Sequence, residues 1–224
     1  MFSTPDEAIF AGRSNDTMEL LKAWGGTTVA YAVFQTGAAN LASSRFLLNL
    51  AIAAVVCGLG FVLHELAHRI VARRFGAQAH FVANVQMLAI SIVVALLPLG
   101  LFFAAPGAVW HRGYLTPRQS GLIALAGPAT NLALALLFLV IAPFVFLAGL
   151  RDQWIVGLFA TGVALNAWLG LFNMIPAGPF DGAKVLAWSP VVFGVTVAIG
   201  ILLAFVLPGA MLGIWLFVMR MLGG

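Results

Sequence analysis

Residues 121–149, "GLIALAGPATNLALALLFLVIAPFVFLAG", carry no charged side chain. About 20 predominantly apolar residues are enough to cross the hydrocarbon core of a bilayer as a helix. A helix without a polar face has no stable place on the surface of a soluble domain, so this run alone confines the chain to membrane folds or to a very large core. Other segments decide between the two. Residues 46–71 form a second strong span, residues 154–175 a third, and residues 24–43 are uncharged though milder. Across the chain 62% of residues are hydrophobic and 8% are charged, and mean hydropathy is +1.07, which excludes an ordinary soluble protein.

The net charge of +4 does not point to nucleic acid, because the basic residues sit mostly at segment ends, where they anchor and orient helices. Cys57 is the single cysteine, so an intrachain disulfide and a thiolate-rich zinc site are both excluded. Residues 1–23 are polar and acidic without the basic start of a signal peptide, and are expected to form a short aqueous or interfacial extension.

The expected fold is an α-helical polytopic membrane protein with about six transmembrane helices. After the extension comes a first transmembrane helix at 24–45, then a core at 46–190, then C-terminal transmembrane helices within 191–224. Pro208-Gly209 is expected to divide that last apolar stretch into two short helices. The core comprises a helix at 46–74, a region at 76–118, helices at 119–149 and 154–175, and a proline-rich loop at 173–182. A turn at Arg151 and Asp152, which are expected to pair, makes the two later helices antiparallel.

Orientation follows from the arginines, since loops rich in them stay cytoplasmic. Arg69, Arg73 and Arg74 put the end of the second span inside, and Arg112 and Arg118 put the start of 119–149 on the same side. The region between must therefore enter and leave on one face. Its stretch "MLAISIVVALLPLGLFFAAPGAVW", 87–110, is nearly as apolar as a true span, yet Pro98 and Gly100 break it in the middle. A re-entrant or membrane-embedded β-hairpin region is expected there, packed inside protein so that its backbone hydrogen bonds are made.

The second span ends in "FVLHELAHRIVARR", residues 61–74. Positions four apart share one face of a helix, so His64 and His68 can offer two imidazoles to one tetrahedral metal ion. Glu65, one residue on, points beside such an ion, where a general base sits to take a proton from water. From this chain's own histidine and glutamate content, an HExxH arises by chance with a frequency on the order of one in a thousand. Burying these groups in a membrane segment is costly unless something binds them.

A catalytic zinc commonly takes three protein ligands and keeps a fourth position open. His80 and His111 follow chain breaks near the interface and have no partner at ligand spacing. Asp152 lies in a turn expected on the opposite side. Elimination and sidedness leave Asp181, in "NMIPAGPFDG", residues 173–182, whose prolines and glycines forbid a continuous helix and allow the loop to turn inward. Two amides complete the candidates. Asn131, in "AGPATN", either joins helices or hydrogen-bonds a substrate backbone or a developing oxyanion, and Asn173 carries the same alternatives.

With HELAH in one span, AGPATN in a later one and NMIPAGPFDG closing the next, the chain resembles the site-2 protease family of intramembrane zinc metalloproteases. The resemblance covers roughly residues 46–190 and implies one zinc per chain held by His64, His68 and Asp181. It further implies Glu65 as acid/base, Asn131 and Asn173 as substrate-seating residues, and a membrane-embedded sheet between the HExxH and GPxxN helices. The implied reaction is hydrolysis of peptide bonds in or near transmembrane segments of membrane-protein substrates, as in regulated intramembrane proteolysis. The expected place is the cell membrane, with the active site toward the cytoplasm.

An edge strand around "APGAVW", 105–110, is expected to hold the unwound substrate by strand addition at Gly107 and Ala108. Prenyl-directed membrane proteases also carry HExxH but take a glutamate as third ligand, and none follows Glu65 here. A metal-binding transporter or a silent scaffold is the remaining alternative, and neither needs a base beside two metal ligands.

Overall fold

The computed structural model describes residues 15–100, 102–103 and 107–209, and only the backbone of Ala108, Trp110, His111 and Arg112. It consists of two compact units, residues 1–119 and 120–224.

The first unit opens with helix α1, Asp16–Thr36. Asn15 caps it by accepting from the amides of Thr17 and Met18, and Asp16 and Glu19 place negative charge at the positive end of the helix dipole. The helix thus starts well before the apolar run at 24, and its acidic first turn is helical. Gly37, at φ 75°, ends it in a conformation that favours glycine. Helix α2 is continuous from Ser44 to Arg74, with one wide π turn at Gly58–Val62 immediately before the HELAH segment. Trp24 of α1 donates its indole N–H to the Ala54 carbonyl of α2. Tyr31 of α1 packs edge-on against Phe102.

Strand β1, Gln78–Ala83, pairs antiparallel with strand β2, Gly107–Arg112, and the register runs from Gln78 opposite Arg112 to Ala83 opposite Gly107. Between them lies helix α3, Val85–Leu96, capped by Asn84, which accepts from the Met87 amide. At 12 residues it is about 18 Å long, short of the roughly 30 Å core of a bilayer. It stops two residues before Pro98, whose ring disfavours helix in the residue that precedes it. The expected β-hairpin region is therefore a strand pair with an apolar helix inserted.

In the second unit, helix α4, Pro117–Leu147, runs through Pro128 and Pro143 and packs on helix α5, Gln153–Phe172. Close approach depends on glycine: a β-carbon at Gly162 would lie 2.5 Å from the ring of Phe138, and one at Gly170 would lie 2.8 Å from Leu132. The core holds Leu132, Ala135, Leu139, Val163, Ala167 and Leu203. Arg151 and Asp152 do not pair with each other as expected. Asp152 caps α5 by accepting from the Ile155 amide, while Arg151 donates to the Phe146 carbonyl, each satisfying a helix end. A short helix α6, Asp181–Trp188, leads into α7, Pro190–Gly209.

Helix α7 is described as far as Gly209, so the expected division at Pro208-Gly209 falls at the edge of the described residues. A π segment at Leu202–Val206 widens the ladder just before the proline, where an amide donor is missing. The second C-terminal helix expected from the sequence lies outside the described residues.

Four helices among the described residues are long and apolar enough to cross a membrane: α2, α4, α5 and α7. The expectation was about six; α1 is not among these four. Phe144, Val191 and Phe205 are exposed, as befits surfaces whose solvent is hydrocarbon.

Candidate metal centre

The helical rise brings His64 and His68 of α2 onto one face, with their Nε2 atoms 3.0 Å apart and their rings edge to face. Two ligands on one tetrahedral zinc, each at about 2.0–2.1 Å, stand roughly 3.3 Å apart, so the pair fits a shared ion with little adjustment. His64, Glu65 and His68 are 5%, 8% and 6% exposed, which places two metal-ligating nitrogens and a carboxyl group in surroundings that shed water. The π turn at Gly58–Val62 ends where this segment begins, and such local widening is common beside functional residues.

Asp181 belongs to the second unit, as the first residue of α6, and is partly buried. Asn173 ends α5, donating its side-chain amide to Leu169, and its carbonyl accepts from the Gly182 N–H at 2.7 Å. This bond closes the proline loop on itself and fixes the backbone at Asp181. Glycine is required at 182, because a β-carbon there would lie on the backbone carbonyl of Met174.

Asn131 is fully buried and donates its amide to Asn166 Oδ1 at 3.1 Å. Asn166 in turn donates to the Gly162 carbonyl at 2.8 Å. A carbonyl only accepts, so Asn166 must face it with nitrogen and face Asn131 with oxygen. The α4–α5 contact is thus a polar ladder as well as a small-residue interface. Asn166 escaped the sequence reading; its only signal was an amide inside an uncharged span, four residues after a glycine.

The strand residues divide by parity. Arg73 donates to the Ala79 carbonyl, and Glu19 accepts from the Ala83 N–H, so the odd-numbered residues of β1 direct their main chain away from β2. The register then turns the main chain of Ala108 toward Val82, and that of Gly107, Val109 and His111 toward the outer side of β2. Ala108 is therefore not an outward-facing pairing position. Gly107 has a second duty, since a β-carbon there would strike the Val82 carbonyl. His80 stands 3.0 Å from Asp16 through Nδ1, and the His111 side chain lies outside the described residues.

The family model for peptidase family M50 matches residues 52–155. Among the relatives named "Putative zinc metalloprotease", MJ0611 of Methanocaldococcus jannaschii is 44% identical over 145 residues, which are 64% of this chain and 73% of that protein. This chain belongs to peptidase family M50.

Another relative so named, YwhC of Bacillus subtilis, is 32% identical over 140 residues, 57% of this chain and 64% of its own. Rip3 of Mycobacterium tuberculosis is 38% identical over 136 residues, 59% of this chain but only 29% of the longer relative. No solved structure matches the chain. M50 is the site-2 protease family that the motifs resemble, a family of metalloproteases. The M50 match takes in HELAH, the strand pair and AGPATN, and ends before the loop that carries Asp181. Helix α1 lies wholly outside it.

Proposed function

We propose that this chain is an intramembrane zinc endopeptidase that cuts peptide bonds in or near the transmembrane segments of membrane-protein substrates, in the manner of regulated intramembrane proteolysis. The observation that carries the reading is the buried His64–His68 pair, with Glu65 beside it, inside a helix long and apolar enough to cross a bilayer. In this proposal His64, His68 and Asp181 hold one zinc ion. Two imidazoles with one carboxylate suit zinc by ligand type.

Zinc, when bound, supplies Lewis acidity and lowers the pKa of a coordinated water to about 7. The chain's own residues do the rest. Glu65 takes the proton of the attacking water and returns it to the leaving amine. Asn131, its amide held by Asn166, and Asn173 seat the substrate backbone. The positive last turn of α2, with Arg73 and Arg74, favours a cytoplasmic location for this end of the site, in a cell membrane. On the same reading the strand pair and α3 are a membrane-embedded, re-entrant region, whose apolar helix is too short to span.

Purified wild-type chain is expected to hold about one zinc and to cut a transmembrane reporter, to lose cleavage when a chelator removes the metal, and to regain it on zinc addition. Cleavage that persists in the stripped protein would sink the proposal.

A helical peptide bond is shielded by its own hydrogen bonds, so the substrate must unwind before attack, and the outer side of β2 is the proposed receiving edge. Val109→Pro removes an outward N–H without breaking the β1–β2 ladder, a place where a strand tolerates proline. KM for the reporter is expected to rise about tenfold, with zinc content unchanged and Val109→Ala near wild type. Equal KM in the proline variant would rule out main-chain pairing there.

A further inference from the structure

We propose that the acidic first turn of α1 is a clasp that holds the zinc-ligating end of α2 and the outer edge of β1, with Asp16 and Glu19 as positioning residues. The inference rests on the reading of His64 and His68 as zinc ligands. No sequence motif announces it, and Asp16 and Glu19 lie outside the M50 match, whereas their partners on α2 and β1 lie inside it.

Asp16 uses both carboxylate oxygens. Oδ2 accepts from the Arg69 guanidinium at 2.7 Å, and Oδ1 lies 3.0 Å from His80 Nδ1 on β1. Arg73 approaches Oδ2 at 4.0 Å, one turn further along α2. The side chains of Asp16, Arg69 and His80 are 15%, 23% and 23% exposed, so solvent screens this cluster less than an ordinary surface pair. One turn on, Glu19 accepts the Ala83 amide at 3.0 Å through Oε2 and binds Lys22 at 2.6 Å through Oε1.

The placement matters because Arg69 directly follows His68. An imidazole nitrogen lies on the order of 6 Å from its helix axis, so a rotation of about 10° displaces it by about 1 Å. An error of that size is enough to degrade a catalytic geometry severely. Asp16 fixes that rotation from outside the helix by holding its next residue against β1. Glu19 and Arg73 meanwhile occupy the outward main-chain groups of β1 at Ala83 and Ala79, leaving β2 as the strand whose outer side can receive a peptide.

The test uses full-length protein in one detergent: wild type, Asp16→Ala, Asp16→Asn and Asp16→Glu. It reads the rate at which a chelator strips zinc, together with kcat and KM on a transmembrane reporter, each per folded, zinc-loaded molecule. Asp16→Asn keeps the shape of the side chain and guards against a variant that fails to fold. Asp16→Ala and Asp16→Asn are expected to lose zinc about tenfold faster and to show kcat lowered about tenfold, with KM within about twofold, and Asp16→Glu is expected to recover most of both. A merely structural role would reduce the folded fraction and leave these per-molecule values alone. Stripping and kcat equal to wild type in Asp16→Asn would overturn the clasp while leaving the protease reading intact. A wild type that holds no zinc would overturn both.

Discussion

Glu65→Gln is expected to keep zinc at the wild-type stoichiometry and to cut a transmembrane reporter at least about a thousandfold more slowly. The substitution preserves volume and hydrogen-bonding reach at a site that is 8% exposed, so the fold has no reason to change. It removes only the ability to accept a proton. General acid–base participation is typically worth about 10²–10⁴-fold, and in the proposed mechanism one carboxylate serves both the water and the leaving amine. The loss should fall on kcat, because in that proposal Glu65 acts in the transition state rather than in substrate binding. Metal analysis and single-turnover cleavage on the same preparation check this. A Glu65→Gln protein that still cuts would remove the base from the mechanism and bring the transporter and scaffold readings forward.

Asp181→Ala is expected to lose most of its zinc on desalting and to cut correspondingly little. Partners that merely orient metal ligands cost about 10–100-fold in affinity when removed, and a ligand itself should cost more. Asp181→Asn keeps the side-chain shape and should behave similarly, since a neutral amide is a poor zinc ligand beside a carboxylate. Either variant also gives up a favourable charge at the start of α6, a matter of about 0.3–1 kcal/mol. Asp152→Ala is the natural control: it removes the cap of α5, costs about 1 kcal/mol of stability, and leaves zinc untouched. Wild-type zinc content in Asp181→Ala would mean that another residue completes the centre, and the proline loop would need a different role.

Asp181 and Asp152 are both single aspartates at helix starts next to turn residues. Asp152 was expected to pair with Arg151 because the two are adjacent in sequence, but each meets the unsatisfied end of its own helix instead.

What the sequence by itself determined is local and periodic. Uncharged runs longer than a bilayer core dictate helices, the i, i+4 spacing of His64 and His68 dictates that their nitrogens converge, and Pro98 dictates that α3 stops short of a span. Only the tertiary structure decided the pairing of β1 with β2 across an inserted helix, the amide ladder from Asn131 through Asn166 to Gly162, and the reach of Asp16 to Arg69 and His80. The physical reason is separation along the chain. Periodicity reports which face of a helix is apolar, whereas the partner of a lone polar group depends on which distant element the packing brings against it, and nothing in the neighbouring residues encodes that choice.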